Sequence, residues 1–265
     1  MIRLGLVGHP VAHSRSPEVH RAFGGQLGLE VEYSLHDVAP EMLAEAIHSL
    51  RADGLTGVNV TLPHKLAAMG LALDLSQRAR RAGAVNTLRL ADLHGDNTDG
   101  DGLVLDLEQN LGIGLSGVRV LMLGAAGAAR GAAAAIVARN PSHLVVANRD
   151  LARADALAAD LVGVEVQAYS DLRLDAFDLI LNATSASLCE ELPPLPDERI
   201  HGAAYDLVTL IGSTVFQRWA MEHGAGLAAD GWGMLVEQAA LSWATWGLPQ
   251  PDPKPLLEPG RVMRR

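Results

Sequence analysis

The strongest constraint in this sequence is an alternation. Short runs rich in β-branched residues and leucine are separated by longer helical runs: IRLGLVG, PEVHRAFGGQLG, VEYSLHDV, PEMLAEAIHSLRA and GVNVTL follow one another from the amino terminus. Strands covered on both faces read as near-continuous apolar runs, and strand, helix, strand in succession is the signature of a mainly parallel sheet. A second series starts near Val118, with VRVLML, a glycine-containing turn, ARGAAAAIVARN, HLVVANR, LARADALAADL, VEVQAYS, FDLILNATS and AAYDLVT. Between the two series, at about Gly100–Ser116, a helical connector (GLVLDLEQNL) leads into a glycine-rich approach, which marks a domain boundary. Near the carboxyl end, MLVEQAALSWATWG is expected to form an amphipathic helix. The proline-rich LPQPDPKPLLEPG after it is expected to be extended or loosely packed.

A chain of 265 residues is long enough for two modest domains, each with its own core. The formal net charge of -10 argues against nucleic acid or an anionic membrane as the main partner, since both select for clustered Lys and Arg. The single cysteine, Cys189, excludes an internal disulfide and a thiolate metal site, and fits a reducing cytoplasm. The ten histidines are scattered without ligand spacing, so no metal is expected. Met1 runs straight into a strand pattern with no signal-peptide features. The longest apolar tract, Leu123–Ala138, is interrupted by Arg130, so no membrane span is expected.

The turn after VRVLML reads GAAGAARG. It places Gly124 and Gly127 where the first loop of a dinucleotide-binding unit presents amides to a pyrophosphate. The fingerprint is imperfect, with Ala126 and Ala129 at two glycine positions. The next strand ends in Asn148 and Arg149, with Arg153 one turn on. Guanidiniums there suit the 2′-phosphate of NADP, whereas an acid would take the ribose hydroxyls of NAD. Asp150 lies among them, so NADP leads and NAD stays open.

Three stretches in the first half carry candidate chemistry. HSRSPEVH sets Ser14 and Ser16 before a helix, where Ser16 is expected to act as N-cap and Ser14 is left over for a ligand. NVTLPHK puts Lys65 just past a strand end, and GDNTDGDGL crowds Asp96, Asp99 and Asp101 among three glycines. Lys65 and one of these acids are either solvated loop charges or the two halves of a proton-handling pair. Asp96 and Asp101 are expected to be solvated.

Taken in order, HSRSP, NVTLPHK, AGAVNTL, GDNTDGDG, NRDLARA, NATS and ADGWGMLVEQA resemble the shikimate dehydrogenase family over about residues 4–245. The resemblance implies an α/β fold with two domains: an α/β substrate domain (1–100) and a Rossmann-like doubly wound parallel sheet for NADP (101–230). A carboxyl-terminal helical segment (231–265) would return to the first domain. It implies Lys65 and Asp99 as the catalytic pair. Ser14, Ser16, Asn59, Thr61, Asn86 and Gln238 would be substrate contacts. Gly124, Ala125, Ala126, Gly127, Ala128, Asn148, Arg149, Arg153, Thr184 and Gly231 would be cofactor contacts. The implied activity is the NADP-dependent, reversible reduction of 3-dehydroshikimate to shikimate by a cytoplasmic monomer or homodimer. Departures from the family pattern cluster: Thr209 replaces a tyrosine, Thr214-Val215 a Thr-Pro, and Ser187 and Ala126 glycines. With Asp150, Thr209 keeps open a related enzyme acting on quinate or another ring polyol. A non-catalytic nucleotide-binding regulator is disfavoured, because a sensor has little need of Lys65 and Asp99.

Overall fold

The computed structural model describes the backbone of residues 1–265 and every side chain except that of Pro259. Two compact units divide the chain: Met1–Gly102 with Leu235–Leu256, and Leu103–Met234 with Leu257–Arg265.

The first unit contains β1 (Ile2–Gly8), α1 (Ser16–Gln26), β2 (Val31–Asp37), α2 (Leu43–Ala52), β3 (Gly57–Val60), α3 (Lys65–Leu71), β4 (Asp74–Leu75), α4 (Gln77–Ala82), β5 (Thr87–Arg89), β6 (His94–Asp96) and the start of α5 (Asp99–Leu105). Its six-stranded sheet has the order β2-β1-β3-β5-β6-β4. β1 pairs in parallel with β2 and β3, whereas β5 is antiparallel to both β3 and β6. One part of its core joins Val7, Val58, Val60 and Leu88 of the sheet to Ile47 and Leu50 of α2. Elsewhere, the buried His20 stacks on Tyr33, and Phe23 meets Trp243 edge to face. Gly57 is needed where it stands, because a β-carbon there would collide with the indole of Trp246.

The second unit contains β7 (Arg119–Leu123), α6 (Gly127–Val137), β8 (His143–Ala147), α7 (Leu151–Asp160), β9 (Val164–Gln167), β10 (Leu179–Asn182), β11 (Ala203–Asp206), α8 (Val215–Glu222) and β12 (Leu227–Ala229). α9 (Trp232–Thr245) runs from this unit into the first, and β13 (Val262–Arg264) ends the chain. The sheet order is β13-β12-β11-β10-β7-β8-β9, parallel except for β13. Successive strands therefore run outward one way from β7 and then the other way from β10, which is the doubly wound arrangement. The two-residue period of β7 shows why its sequence is apolar throughout. Val120 and Met122 pack with Ala132 and Ile136 of α6 on one face, while Leu121 and Leu123 pack with Phe216 and Ala220 of α8 on the other.

One expectation changes here. The helix MLVEQAALSWATWG is buried on nearly every face rather than amphipathic, as expected of a helix that is apolar all round. The proline-rich stretch forms no strand or α-helix, and Asp252 within it is tied to Gln26 by two bonds; beyond it, Val262–Arg264 adds an antiparallel strand to the edge of β12, and only Leu235–Leu256 groups with the first unit. An open edge offers unpaired backbone groups that a neighbouring strand satisfies. Arg261 fixes the approach, with Nη1 donating to Thr209 Oγ1 at 2.9 Å, the Leu210 carbonyl at 2.8 Å and Asp230 Oδ2 at 2.7 Å. Among the described residues no helix is long and apolar enough to cross a membrane.

Candidate active site

Lys65 and Asp99 each open a helix, α3 and α5. A carboxylate is favoured at the positive end of a helix and a cation is not, so Lys65 needs a partner there. Lys65 Nζ donates to Asp99 Oδ2 at 2.7 Å, and only 9% of each side chain is exposed. The other carboxylate oxygen accepts from Asn86 Nδ2 at 2.8 Å. Both charges are therefore paired, as burial requires. The turn carrying Lys65 is pinned by the buried His64, whose Nε2 donates to the Val38 carbonyl at 2.7 Å.

Around this pair lies a connected polar network. Asn86 Nδ2 also donates to Thr98 Oγ1 at 3.0 Å and to Gln238 Oε1 at 3.3 Å, while Asn86 Oδ1 accepts from the Thr98 amide at 2.9 Å. Asn59, buried at the end of β3, donates to Thr87 Oγ1 at 3.1 Å and Ser242 Oγ at 3.0 Å, and accepts from Tyr33 at 2.8 Å. Of the residues expected at the substrate, Asn86 and Gln238 thus join Lys65 and Asp99 in one set of bonds, and Asn59 reaches it through Thr87. Thr61 is half-buried just past β3.

Ser16 does not cap α1. It is the first helical residue, Arg15 holds the cap position, and no side chain caps the helix. The start of the helix is displaced by one residue, which leaves the Ser16 hydroxyl buried and bonded to Ser14 Oγ at 3.2 Å. Nor is Asp96 solvated. It is 3% exposed, with Ser76, Arg78, Thr245 and the Asn97 amide donating to it, while Asp101 pairs with Arg78. Burial opposes ionisation of Asp96, but the bonds from Arg78, Ser76 and Thr245 outweigh it and hold the carboxyl below its usual range.

In the second unit, Gly124 follows β7 at the point where strand order reverses. Its φ of +102° and its approach to Ala183 and Thr184 both favour glycine. No side chain caps α6, so the amides of its first turn, from Gly127 and Ala128 onward, are available to an anion. Ala126 is exposed with extended backbone (φ -84°), a conformation that needs no glycine, and Ala125 is half-buried beside it. At the end of β8, Asn148 Nδ2 donates to the Asp150 carbonyl at 2.7 Å, which shapes the turn. The Asp150 carboxylate is held by Arg153 at 3.2 Å, while Arg149 is exposed and has no ion-pair partner among the described residues. Thr184 Oγ1 donates to Asn182 Oδ1 at 2.6 Å. Gly231 is packed so that a β-carbon would collide with the Leu207 carbonyl. A free helix terminus beside an uncommitted guanidinium fits a dinucleotide bearing an extra phosphate.

At the departures, Ser187 is fully buried and donates to Asp206 Oδ2 at 2.6 Å. Burial pushes the Asp206 carboxyl up to about 6, against the lowering effect of the Ser187 bond. Thr214 caps α8 in a reciprocal box with Gln217. Thr209 donates to Asp230 Oδ2 at 3.1 Å. Asp96 and Arg78 are the functional candidates that the sequence reading missed. Their signal was a buried-type stretch, AGAVNTL, separating an arginine from an acid.

A buried lysine–carboxylate pair on one α/β unit and a doubly wound unit with an open anion-binding turn define a two-domain, nicotinamide-dependent oxidoreductase. Comparisons with known proteins refine that class. Residues 6–88 match the family described as shikimate dehydrogenase substrate binding domain, and residues 106–190 match shikimate / quinate 5-dehydrogenase. The chain is 49% identical to a protein of Aeromonas hydrophila named shikimate dehydrogenase (NADP(+)), over 97% of this chain and 96% of that one. Among solved structures, an Ael1 enzyme from Pseudomonas putida is 40% identical with a TM-score of 0.87, covering 97% of both chains. Shikimate 5-dehydrogenase of Thermus thermophilus, in complex with NADP(H) and shikimate, is 37% identical with a TM-score of 0.85, covering 96% of both. The chain belongs to the shikimate dehydrogenase family.

Proposed function

We propose that the protein catalyses the reversible, NADP-dependent reduction of 3-dehydroshikimate to shikimate. The amino-terminal unit holds the ring acid and the second unit holds the cofactor. The cofactor, when bound, would supply the hydride for reduction in its reduced form, NADPH, and would accept it in the reverse direction in its oxidised form, NADP+.

The hydroxyls and amides of Ser14, Ser16, Asn59, Thr61, Asn86 and Gln238 bind the ring substituents and fix which carbon faces the reaction. A carbonyl receiving a hydride gathers negative charge on oxygen. The Lys65 ammonium stabilises that charge and donates the proton that completes the hydroxyl; in the reverse direction the lysine takes it back. Asp99 aims the ammonium and Asn86 aims Asp99. Gly124, Ala125, Ala126, Gly127 and Ala128 offer the pyrophosphate turn. Asn148, Arg149 and Arg153 surround the 2′-phosphate, and Thr184 and Gly231 border the remainder of the dinucleotide.

The observation that carries this reading is the 2.7 Å Lys65–Asp99 pair, buried and backed by Asn86. Quinate is the second reading, favoured by Thr209, whose hydroxyl is committed to Asp230 where the family pattern has a tyrosine. Initial rates of NADPH or NADH formation, with shikimate and quinate each paired with NADP and NAD, test both. The highest kcat/KM is expected for shikimate with NADP. A higher value for quinate would replace the substrate assignment, and no turnover of either acid would overturn the function. The lone cysteine suits a reducing compartment such as the cytoplasm, and sizing in solution distinguishes a monomer from a homodimer.

A further inference from the structure

Asp99 lies between two other carboxylates, Asp96 and Asp101, and one guanidinium binds both of them. Arg78, on α4, donates through Nε to Asp96 Oδ1 at 3.1 Å, through Nη2 to Asp96 Oδ2, and through Nη1 to Asp101 Oδ2 at 3.1 Å. Asp96 also accepts from Ser76 Oγ, from the Asn97 amide at 2.7 Å and from Thr245 Oγ1 at 2.7 Å. Thr245 stands on the same helix as Gln238, whose carbonyl oxygen accepts from Asn86.

We infer that Arg78 is a positioning residue for the dehydrogenase reaction, acting through the segment that carries Asp99. Three acids in one short stretch repel one another, and a repelled segment would swing Asp99 away from Lys65. Arg78 neutralises the two flanking carboxylates and leaves Asp99 as the anion facing the lysine. Its planar fork holds Asp96 through two nitrogens, which restricts direction as well as distance. The segment then has little freedom, because Asn97 donates to the Ala84 carbonyl at 3.0 Å and accepts from the Asp99 amide at 3.2 Å. Arg78 makes no hydrogen bond or ion pair with Lys65 or Asp99, so it acts on the reaction through the segment that holds the pair.

The inference rests on the activity proposed above, and its test is a cycle on turnover. Arg78→Met, Arg78→Lys and Thr245→Val are each made in the wild-type and Asp99→Asn backgrounds. Thermal melting checks folding, and kcat and KM are measured with the ring acid that the wild-type enzyme turns over. Arg78→Met is expected to lower kcat by about 10- to 100-fold, the scale of a misplacement near 1 Å, with KM for NADP changed by less than about twofold. Arg78→Lys restores part of the loss, since it keeps the charge and loses the fork. In the Asp99→Asn background, Arg78→Met lowers kcat by less than about threefold, because the group it positions has already been disabled. Thr245→Val, which removes one bond to Asp96 from a neutral donor, shows the same pattern at smaller size and serves if Arg78→Met does not fold. A folded Arg78→Met variant with wild-type kcat, or a loss that multiplies fully with that of Asp99→Asn, would overturn the inference. An inactive wild-type protein would instead sink the functional assignment.

Discussion

Replacing Arg149 with alanine should separate the two nicotinamide cofactors, and the structure indicates by how much. Arg149 stands at the carboxyl end of β8, exposed and without an ion-pair partner among the described residues, while Arg153 is held at 3.2 Å by Asp150. Of the two guanidiniums proposed to meet the 2′-phosphate, Arg149 is the one with no carboxylate competing for it. A charge-assisted hydrogen bond is worth roughly 1.5–3 kcal/mol, and exposure favours the lower part of that range. At about 1.4 kcal/mol per decade, the loss corresponds to roughly 10- to 150-fold in kcat/KM for NADP. NAD lacks the phosphate, and its constants should stay within about twofold, because no bond to it is lost. Initial rates with each cofactor varied at saturating shikimate measure both. Raising the salt concentration should narrow the wild-type preference, since the interaction is exposed. Asp150→Asn should act in the opposite direction, lowering KM for NADP by releasing Arg153 and removing a negative charge. An equal loss with NADP and NAD in the Arg149→Ala enzyme would refute the argument, by making Arg149 a contact to a shared part of the dinucleotide or a support of the turn.

Two further expectations concern the second unit. Burial pushes Asp206 up to about 6, so between about pH 4 and 6 the folded protein holds a proton that the unfolded chain has released. That contribution is lost as pH rises through this window, by about 3 kcal/mol in all, and Asp206→Asn should flatten the fall in melting temperature over it; parallel wild-type and variant profiles would contradict this. Gly231→Ala must displace the Leu207 carbonyl, at a cost of roughly 1–3 kcal/mol, and should raise KM for NADP and NAD by the same factor. A lowered melting temperature with unchanged KM would assign Gly231 to folding alone.

The parts of the fold legible in sequence were those set by local pattern. IRLGLVG is β1 residue for residue, and GVNVTL and VRVLML contain β3 and β7, because a strand covered on both faces must be apolar throughout. The glycine turn was legible because a positive φ and a close approach to Ala183 both favour the residue without a β-carbon. What escaped depended on partners far along the chain. Asp96 looks like a loop acid until Arg78 and Thr245 are beside it. The antiparallel pairing of β5 with β3 and β6 is set by cross-strand register, which a short strand does not announce. Ser16 was misplaced for a subtler reason. Capping depends on where the first turn begins, and a shift of one residue turned an expected cap into a buried hydroxyl. Lys65 and Asp99 were assigned from resemblance, with the pattern itself leaving solvated charges open. Their 2.7 Å contact joins residues 34 positions apart.

The proposed function depends most on that contact acting as one proton-handling unit, and turnover measured for Lys65→Ala, Asp99→Asn and the double variant tests it directly. General acid–base groups contribute about 10²–10⁴-fold, so each single variant should lose kcat on that scale while remaining folded. Groups that act together fail together, and the double variant should be little worse than the poorer single one. Wild-type turnover in folded Lys65→Ala, or losses that multiply in the double variant, would show two independent side chains instead of a catalytic pair.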